Sequence, residues 1–245
     1  MALVGGEGVA FRVGDIVLKW TRDAREAAWV QGLLARLGPE GYRIADPVAT
    51  LEGEWTHDGW TASAFIADLR PAAPAWEAIA EVGLRFADDA EPERDTGREA
   101  LSRRTHRWAV ADRVAWGAAE VDLSAEATAI VDRLGALLAE TEPGEHVVHG
   151  DLSGNVFFDP SDVPVILDVS PYLRPRRWGS ALVVADAVLW NGEPPSLAES
   201  FAADALDLDL LGRALIFRLV AEQMADDPRH GALLGPYQRL LDAFG

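Results

Sequence analysis

Apolar and polar positions follow two rhythms along this chain of 245 residues. Over 23–37, Ala27, Val30, Leu33, Leu34 and Leu37 recur at three- and four-residue steps, which predicts an amphipathic helix stopped by Gly38 and Pro39. Ala127, Ile130, Val131, Leu134, Leu137 and Leu138 repeat that pattern behind Ser124, a good helix cap, and the run ends before Pro143 and Gly144. Further helices are predicted over 76–87, 181–189, 209–225 and 236–244. The second rhythm is that of short β-rich runs broken by turn residues. Runs 9–13 and 16–19 meet about Gly14 and Asp15, and 47–51 and 60–66 flank the turn-rich 52–59, together making a small antiparallel sheet. The charged run 88–98 and the proline- and arginine-bearing 170–177 read as exposed or irregular connections.

The most committed stretch is HVVHGDLSGNVFFDPSDVPVILD, 146–168. Val147 and Val148 form a short strand feeding a polar loop, 149–155. Runs 156–158 and 163–167 are then separated by Asp159, Pro160, Ser161 and Asp162, which predicts a hairpin. Pairing 158 with 165, 157 with 166 and 156 with 167 sets Asn155 opposite Asp168, with Asp151 on the loop leading to the same end. Three oxygen-bearing groups thus converge. Hard oxygen donors of mixed charge suit magnesium, which keeps other positions for water and phosphate oxygens. Phosphoryl transfer needs such a set: one carboxylate takes a proton from the attacking hydroxyl, while an amide and a second carboxylate hold the metal.

Near the start, Gly5, Gly6 and Gly8 precede the first of the β-rich runs. Glycines there let backbone amides approach the phosphates of a nucleotide, and Lys19, at the end of the following strand, offers a point charge. Glu7 in the same loop opposes phosphate if it points inward.

HGDLSGN followed by ILD resembles the catalytic loop and metal-binding aspartate of the aminoglycoside phosphotransferase and choline kinase group, relatives of the protein kinases. RRTHRWAVADRVAWG (103–117) and SPYLRPRRWGSALVVADAVLW (170–190) resemble an actinobacterial branch of that group, and the likeness covers most of the chain. The resemblance implies an α+β, protein-kinase-like, two-lobed fold. Residues 1–67 would form a small antiparallel-sheet nucleotide-binding lobe, and 68–245 a larger, mainly helical lobe carrying the catalytic hairpin. It implies ATP and magnesium as cofactors, Asp151 as catalytic base, Asn155 and Asp168 as magnesium ligands, and His149 as a residue fixing the loop. It pairs Lys19 with Glu26 of the first helix, makes 67–71 the hinge that holds adenine, and uses Asp186 to brace the catalytic loop. Two departures stand out. The group usually places its asparagine five residues after the aspartate, whereas Asp151 and Asn155 are four apart, a shortening assigned to Gly154, which tolerates positive φ. The first strand, at most 2–4, is also short.

Composition narrows the partners. With no cysteine, disulfides and thiolate metal sites are excluded, in keeping with a reducing cytoplasm. Neither a secretory signal nor a membrane-spanning run is evident, so a cytoplasmic protein is expected. A formal charge of −18 disfavours nucleic acid and anionic membranes, both polyanionic, and favours a cationic small substrate, although an acidic surface also serves solubility alone. The expected function is ATP-dependent phosphorylation of a small hydroxylated molecule. One alternative is a nucleotide-binding regulator with weak or no transfer activity, and another takes His146, His149 and Asp151 as a zinc hydrolase site. Trp108 and Trp116 read as core rather than pocket lining. The arginines of 174–177 meet phosphate or pair with surface carboxylates.

Overall fold

A computed structural model describes residues 10–139, 144–225 and 230–244. The expected phosphate loop of Gly5, Gly6 and Gly8, and the short strand at 2–4, lie outside the described residues. The chain divides into two compact units, Met1–Arg103 with Glu145–Arg176, and Arg104–Gly144 with Arg177–Gly245. The hairpin strands pair with segments on both sides of position 67/68.

The first unit opens with β1 (Ala10–Val13) and β2 (Ile16–Trp20), followed by α1 (Ala24–Arg36), β3 (Arg43–Ile44), β4 (Trp60–Ala64), β5 (Arg70–Pro71), α2 (Trp76–Asp89) and α3 (Arg94–Leu101). β1 and β2 turn tightly about Gly14, at φ +61°, and Asp15, the arrangement of a type II′ hairpin. β2 also pairs with β4, so a three-stranded antiparallel sheet holds Lys19 opposite Thr61. α1 begins where expected, since Asp23 accepts from the amides of Arg25 and Glu26 at 3.0 Å each, and Val30, Leu33 and Leu34 make its buried face.

Past α4 (Arg107–Ala115) and α5 (Ala125–Gly135), the chain returns to this unit with β6 (His146–His149), β7 (Val156–Phe158), β8 (Pro164–Ile166) and β9 (Pro171–Arg174). β7 and β8 are the predicted hairpin, but in a different register: Val156 faces Ile166, Phe157 faces Val165 and Phe158 faces Pro164. The turn decides this. Asp159 and Val163 pair through the Asp159 amide at 3.0 Å, and the Asp159 carboxylate accepts from the Ser161 and Val163 amides at 2.8 and 3.1 Å. Asp162, at φ +61°, closes a three-residue connection. β3 joins parallel to β8 and β5 antiparallel to β7, giving a four-stranded sheet in the order β3-β8-β7-β5.

Three other expectations change. The run 47–51 is not a strand: Pro47 makes only an isolated bridge to Ser63, and a turn about Thr50 and Gly53 follows. The supposed loop 88–98 is the end of α2, a 3₁₀ turn at Glu91–Glu93 and most of α3. The supposedly irregular 170–177 contains β9, antiparallel to β6; Pro171 sits at its first position, and the Gly150 amide bonds the carbonyl of Ser170 at 2.8 Å.

The second unit is helical. With α4 and α5 it contains α6 (Trp178–Trp190), α7 (Pro195–Phe201), α8 (Ala205–Gln223) and α9 (His230–Ala243). Ser124 caps α5, accepting from Ala127 at 3.2 Å. Nearly all of α6 and most of α8 are buried, and Trp178 and Phe217 pack edge to face with centroids 5.4 Å apart. Trp108 lies against Phe217 and Trp116 against Trp178, but both are only partly buried, and Trp116 also lines a cavity with Val131, Leu138 and Arg213. Asp186 takes both Nε and Nη2 of Arg218 at 2.7 Å, with both side chains buried. No helix among the described residues is long and apolar enough to cross a membrane.

Candidate active site

The site grows from β6. Its two valines are fully buried, and His149 after them is 1% exposed, so the chain leaves the core with its direction fixed. Nδ1 of His149 accepts from the backbone amide of Asp151 at 3.0 Å, the loop-fixing contact expected of it. Gly150 is required by close approach, because a Cβ there would lie 2.4 Å from Cδ2 and Cε2 of Tyr172 on β9. Leu152 anchors the loop from below: it is buried against α2, where a Cβ on Gly83 would come within 2.4 Å of Leu152 Cδ1.

From Leu152 the chain turns once. The amides of Asn155 and Val156 bond the Leu152 carbonyl at 2.9 and 3.1 Å, which delivers Asn155 to the open end of the hairpin. Nδ2 of Asn155 then donates to the Asp151 carbonyl at 2.7 Å and to Asp151 Oδ2 at 3.1 Å. The four-residue spacing is therefore long enough for the amide to reach the carboxylate. Gly154 does not absorb the shortening as expected. Its φ is outside the left-handed region, and a Cβ on it would meet nothing within 4 Å.

Across the hairpin, the Leu167 amide bonds the Asn155 carbonyl at 2.8 Å, so Leu167, rather than Asp168, lies opposite Asn155. Asp168 comes one step later with φ +49°, a left-handed turn that aspartate tolerates better than most residues. There Oδ1 of Asp168 pairs with Nζ of Lys19. Both groups are partly open to solvent, with side-chain exposures of 38% and 45%. Glu26, the partner expected for Lys19, is half-buried in the first turn of α1, on the helix face that also carries Val30 and Leu33.

One unit thus carries Lys19, Asp151, Asn155 and Asp168 at or near strand ends, with Lys19 joined to Asp168 and Asn155 to Asp151. Their chemistry fits a hard divalent cation. With Asn155 Nδ2 turned to Asp151, its Oδ1 is the atom left to face a metal, and Asp168 adds carboxylate oxygen. The zinc alternative finds no assembled site: among the described residues no three histidine, aspartate or glutamate side chains cluster to hold a metal, and His146 lies 3.9 Å from Glu91 instead. Arg70 and Pro71 of the expected hinge pair with Phe158 and Phe157. Of the arginines expected to meet phosphate or carboxylate, Arg176 takes Asp88 and Arg177 takes Asp207. Sequence reasoning missed the roles of Tyr172 and Gly83, which confine Gly150 and Leu152. A glycine inside the apolar pattern of α2 was the one available sign of the second.

No protein-family model matches the chain, and no curated protein matches it in sequence. Solved structures do match. A thermostable mutant of the aminoglycoside phosphotransferase APH(4)-Ia, in apo form, superimposes with a TM-score of 0.61 at 15% identity, covering all of this chain and 94% of that one. Choline kinase LicA from Streptococcus pneumoniae gives 0.56 at 13% identity, covering 98% and 91%. Spectinomycin phosphotransferase APH(9)-Ia, in complex with ADP and spectinomycin, gives 0.54 at 16% identity, covering 100% and 89%. At such identities the likeness is one of fold: the chain has the α+β, kinase-like fold of the aminoglycoside phosphotransferases and choline kinases.

Proposed function

We propose that the protein transfers the terminal phosphoryl group of ATP to a hydroxyl of a small molecule, using magnesium, with Asp151 as the base. The observation that carries this reading is the join between Asp151 and Asn155. One amide nitrogen holds both the carbonyl and a carboxylate oxygen of Asp151, at the open end of the hairpin that Asp168 follows.

Asp151 accepts the proton of the acceptor hydroxyl as the new O–P bond forms, and ADP carries away the electrons of the broken one. Its oxygen is aimed by Asn155, and its backbone by His149, so little reorientation remains to be made during transfer. Lys19 supplies a fixed positive charge for the phosphates. Asn155 Oδ1 and the Asp168 carboxylate would hold magnesium, which when bound offsets charge on the phosphates. Lys19 neutralises Asp168 in the present arrangement, and Glu26 is the second carboxylate we assign to it when Asp168 turns to the metal. Residues 1–67, with Gly5, Gly6 and Gly8, are assigned to the nucleotide and 68–245 to catalysis and the acceptor. The acceptor belongs to the small hydroxylated molecules, a cationic one being favoured by the charge of −18.

The test is magnesium-dependent ATP consumption across a panel of hydroxylated small molecules, compared with Asp151→Asn. The variant should lose about 10²- to 10⁴-fold in kcat while still binding ATP, since general-base catalysis supplies about that much. An unchanged rate would reject Asp151 as base. ATP binding with no acceptor consumed would leave the nucleotide-binding regulator.

A further inference from the structure

Arg25, Trp29 and Arg36 are spaced by four and seven residues and so share one face of α1. That face meets the 3₁₀ turn and α3. Nε and Nη2 of Arg36 donate to the two carboxylate oxygens of Glu93 at 2.6 and 2.7 Å, and the indole Nε1 of Trp29 donates to Thr96 Oγ1 at 3.0 Å. Arg25 pairs with Glu99 one turn further along. Between these contacts lies Gly97, where a Cβ would stand 2.9 Å from Cζ2 of Trp29, so the helices meet at a separation that a larger residue would disturb. An exposed pair such as Arg25 with Glu99 contributes little alone. The bidentate pair differs, because Glu93 is only 14% exposed and a second bond from Thr96 Oγ1, at 3.0 Å, fixes it further.

The same segment is tied on its other side to the strands around the catalytic loop. Arg98 of α3 pairs with Glu145, next to the first residue of β6. Asp88 of α2 takes both Nε and Nη2 of Arg176, two residues beyond β9. β6 runs into Asp151, and β9 follows closely on Asp168. Residues 88–101 therefore touch the helix carrying Glu26 and, through separate contacts, the strands that lead to Asp151 and away from Asp168.

We propose that residues 88–101 act as a strut that fixes α1 against the catalytic strands, making Trp29, Arg36, Glu93, Thr96 and Gly97 positioning residues for the Lys19–Glu26 side of the site. The idea rests on the function proposed above. Glu26 lies one turn before Trp29, and Leu33 falls between Trp29 and Arg36 on the helix surface, so a grip on Trp29 and Arg36 sets the rotation of α1 and with it the direction of Glu26.

The test uses the full chain with Arg36→Glu, Glu93→Arg, their combination, and Gly97→Ala, read by steady-state kinetics and by amide hydrogen exchange over 24–36. Glu93→Arg should lower kcat about tenfold, a loss in the range a small misplacement produces, with the acceptor KM within about twofold. It should also speed exchange in α1 by more than the change in global stability accounts for, and the charge-swapped pair should recover most of both. In a Glu26→Gln background, Glu93→Arg should add less than about twofold, since both act on one pairing. Equal losses in both backgrounds, or no recovery in the swapped pair, would overturn the strut. If Asp151→Asn shows that the function itself is misassigned, exchange decides alone. Faster exchange in Glu93→Arg and Gly97→Ala then supports the strut, and unchanged exchange in both overturns it.

Discussion

Gly150 and Gly154 stand at the two ends of one short turn and are under opposite constraints. A methyl group at 150 would come within 2.4 Å of the Tyr172 ring, itself only 7% exposed and paired through β9, so the ring has little room to retreat. At 154 nothing lies within 4 Å and the backbone is in ordinary territory. Gly150→Ala is therefore expected to cost about 1–3 kcal/mol of stability, the range for overpacking, and Gly154→Ala less than about 0.5 kcal/mol. Urea unfolding of the two variants checks this, and equal costs would contradict the packing described. HGDLSGN showed the loop but not which of its glycines is confined. The partner of Gly150 comes from a strand that Pro171 and Pro175 disguised as irregular chain. Asp168 was likewise legible as a ligand type, but its pairing with Lys19 depends on a turn register set by the Asp159 carboxylate, which strand alternation does not encode.

Among the helices, α8 carries a carboxylate whose ionisation reaches beyond its own position. Burial pushes the Glu222 carboxyl up to about 7 from an ordinary 4.5, with hydrogen bonds from Tyr237 and Trp190 and the charge of Arg218 pulling the other way and Asp186 adding to the rise. The folded chain then holds a proton that the unfolded chain has released between those values. Its stabilising contribution is full below about pH 4.5 and is lost as pH rises through about 7. Glu222→Gln, which mimics the protonated form, should flatten this part of the profile. Urea midpoints at about pH 5 and about pH 8 measure it, and an equal slope in both proteins would show that Glu222 does not titrate there. Helices of this kind were legible wherever an apolar stripe and a cap coincided, as at Asp23 for α1 and Ser124 for α5. α3 had neither sign. Its sequence RDTGREAL is dominated by charge, and it is seated by the Trp29–Thr96 hydrogen bond and the close approach of Gly97 to Trp29, contacts made between elements distant in the chain.

The charge of −18 belongs to the whole molecule, and its effect on a ligand depends on the distance over which salt lets it act. That distance is about 30 Å at 0.01 M ionic strength and about 8 Å at 0.15 M, so at low salt the field reaches well past the surface and at physiological salt it barely does. If the proposed acceptor is a cation, the field raises its encounter rate with the protein and opposes that of the anionic nucleotide. Raising ionic strength should therefore act on the two substrates with opposite signs. With ATP saturating, kcat/KM for a cationic hydroxylated acceptor should fall several-fold, up to about tenfold, between those two salt concentrations. With acceptor saturating, kcat/KM for ATP should rise or stay level over the same range. A neutral acceptor of similar size separates this from any effect of salt on the fold, because its kcat/KM should not follow the cation's. A cationic acceptor whose kcat/KM is as flat as the neutral one's would show that the acidic surface serves solubility and leaves acceptor choice to the pocket. The opposite signs for acceptor and nucleotide would show that net charge, a property carried by no single residue, biases what reaches Asp151.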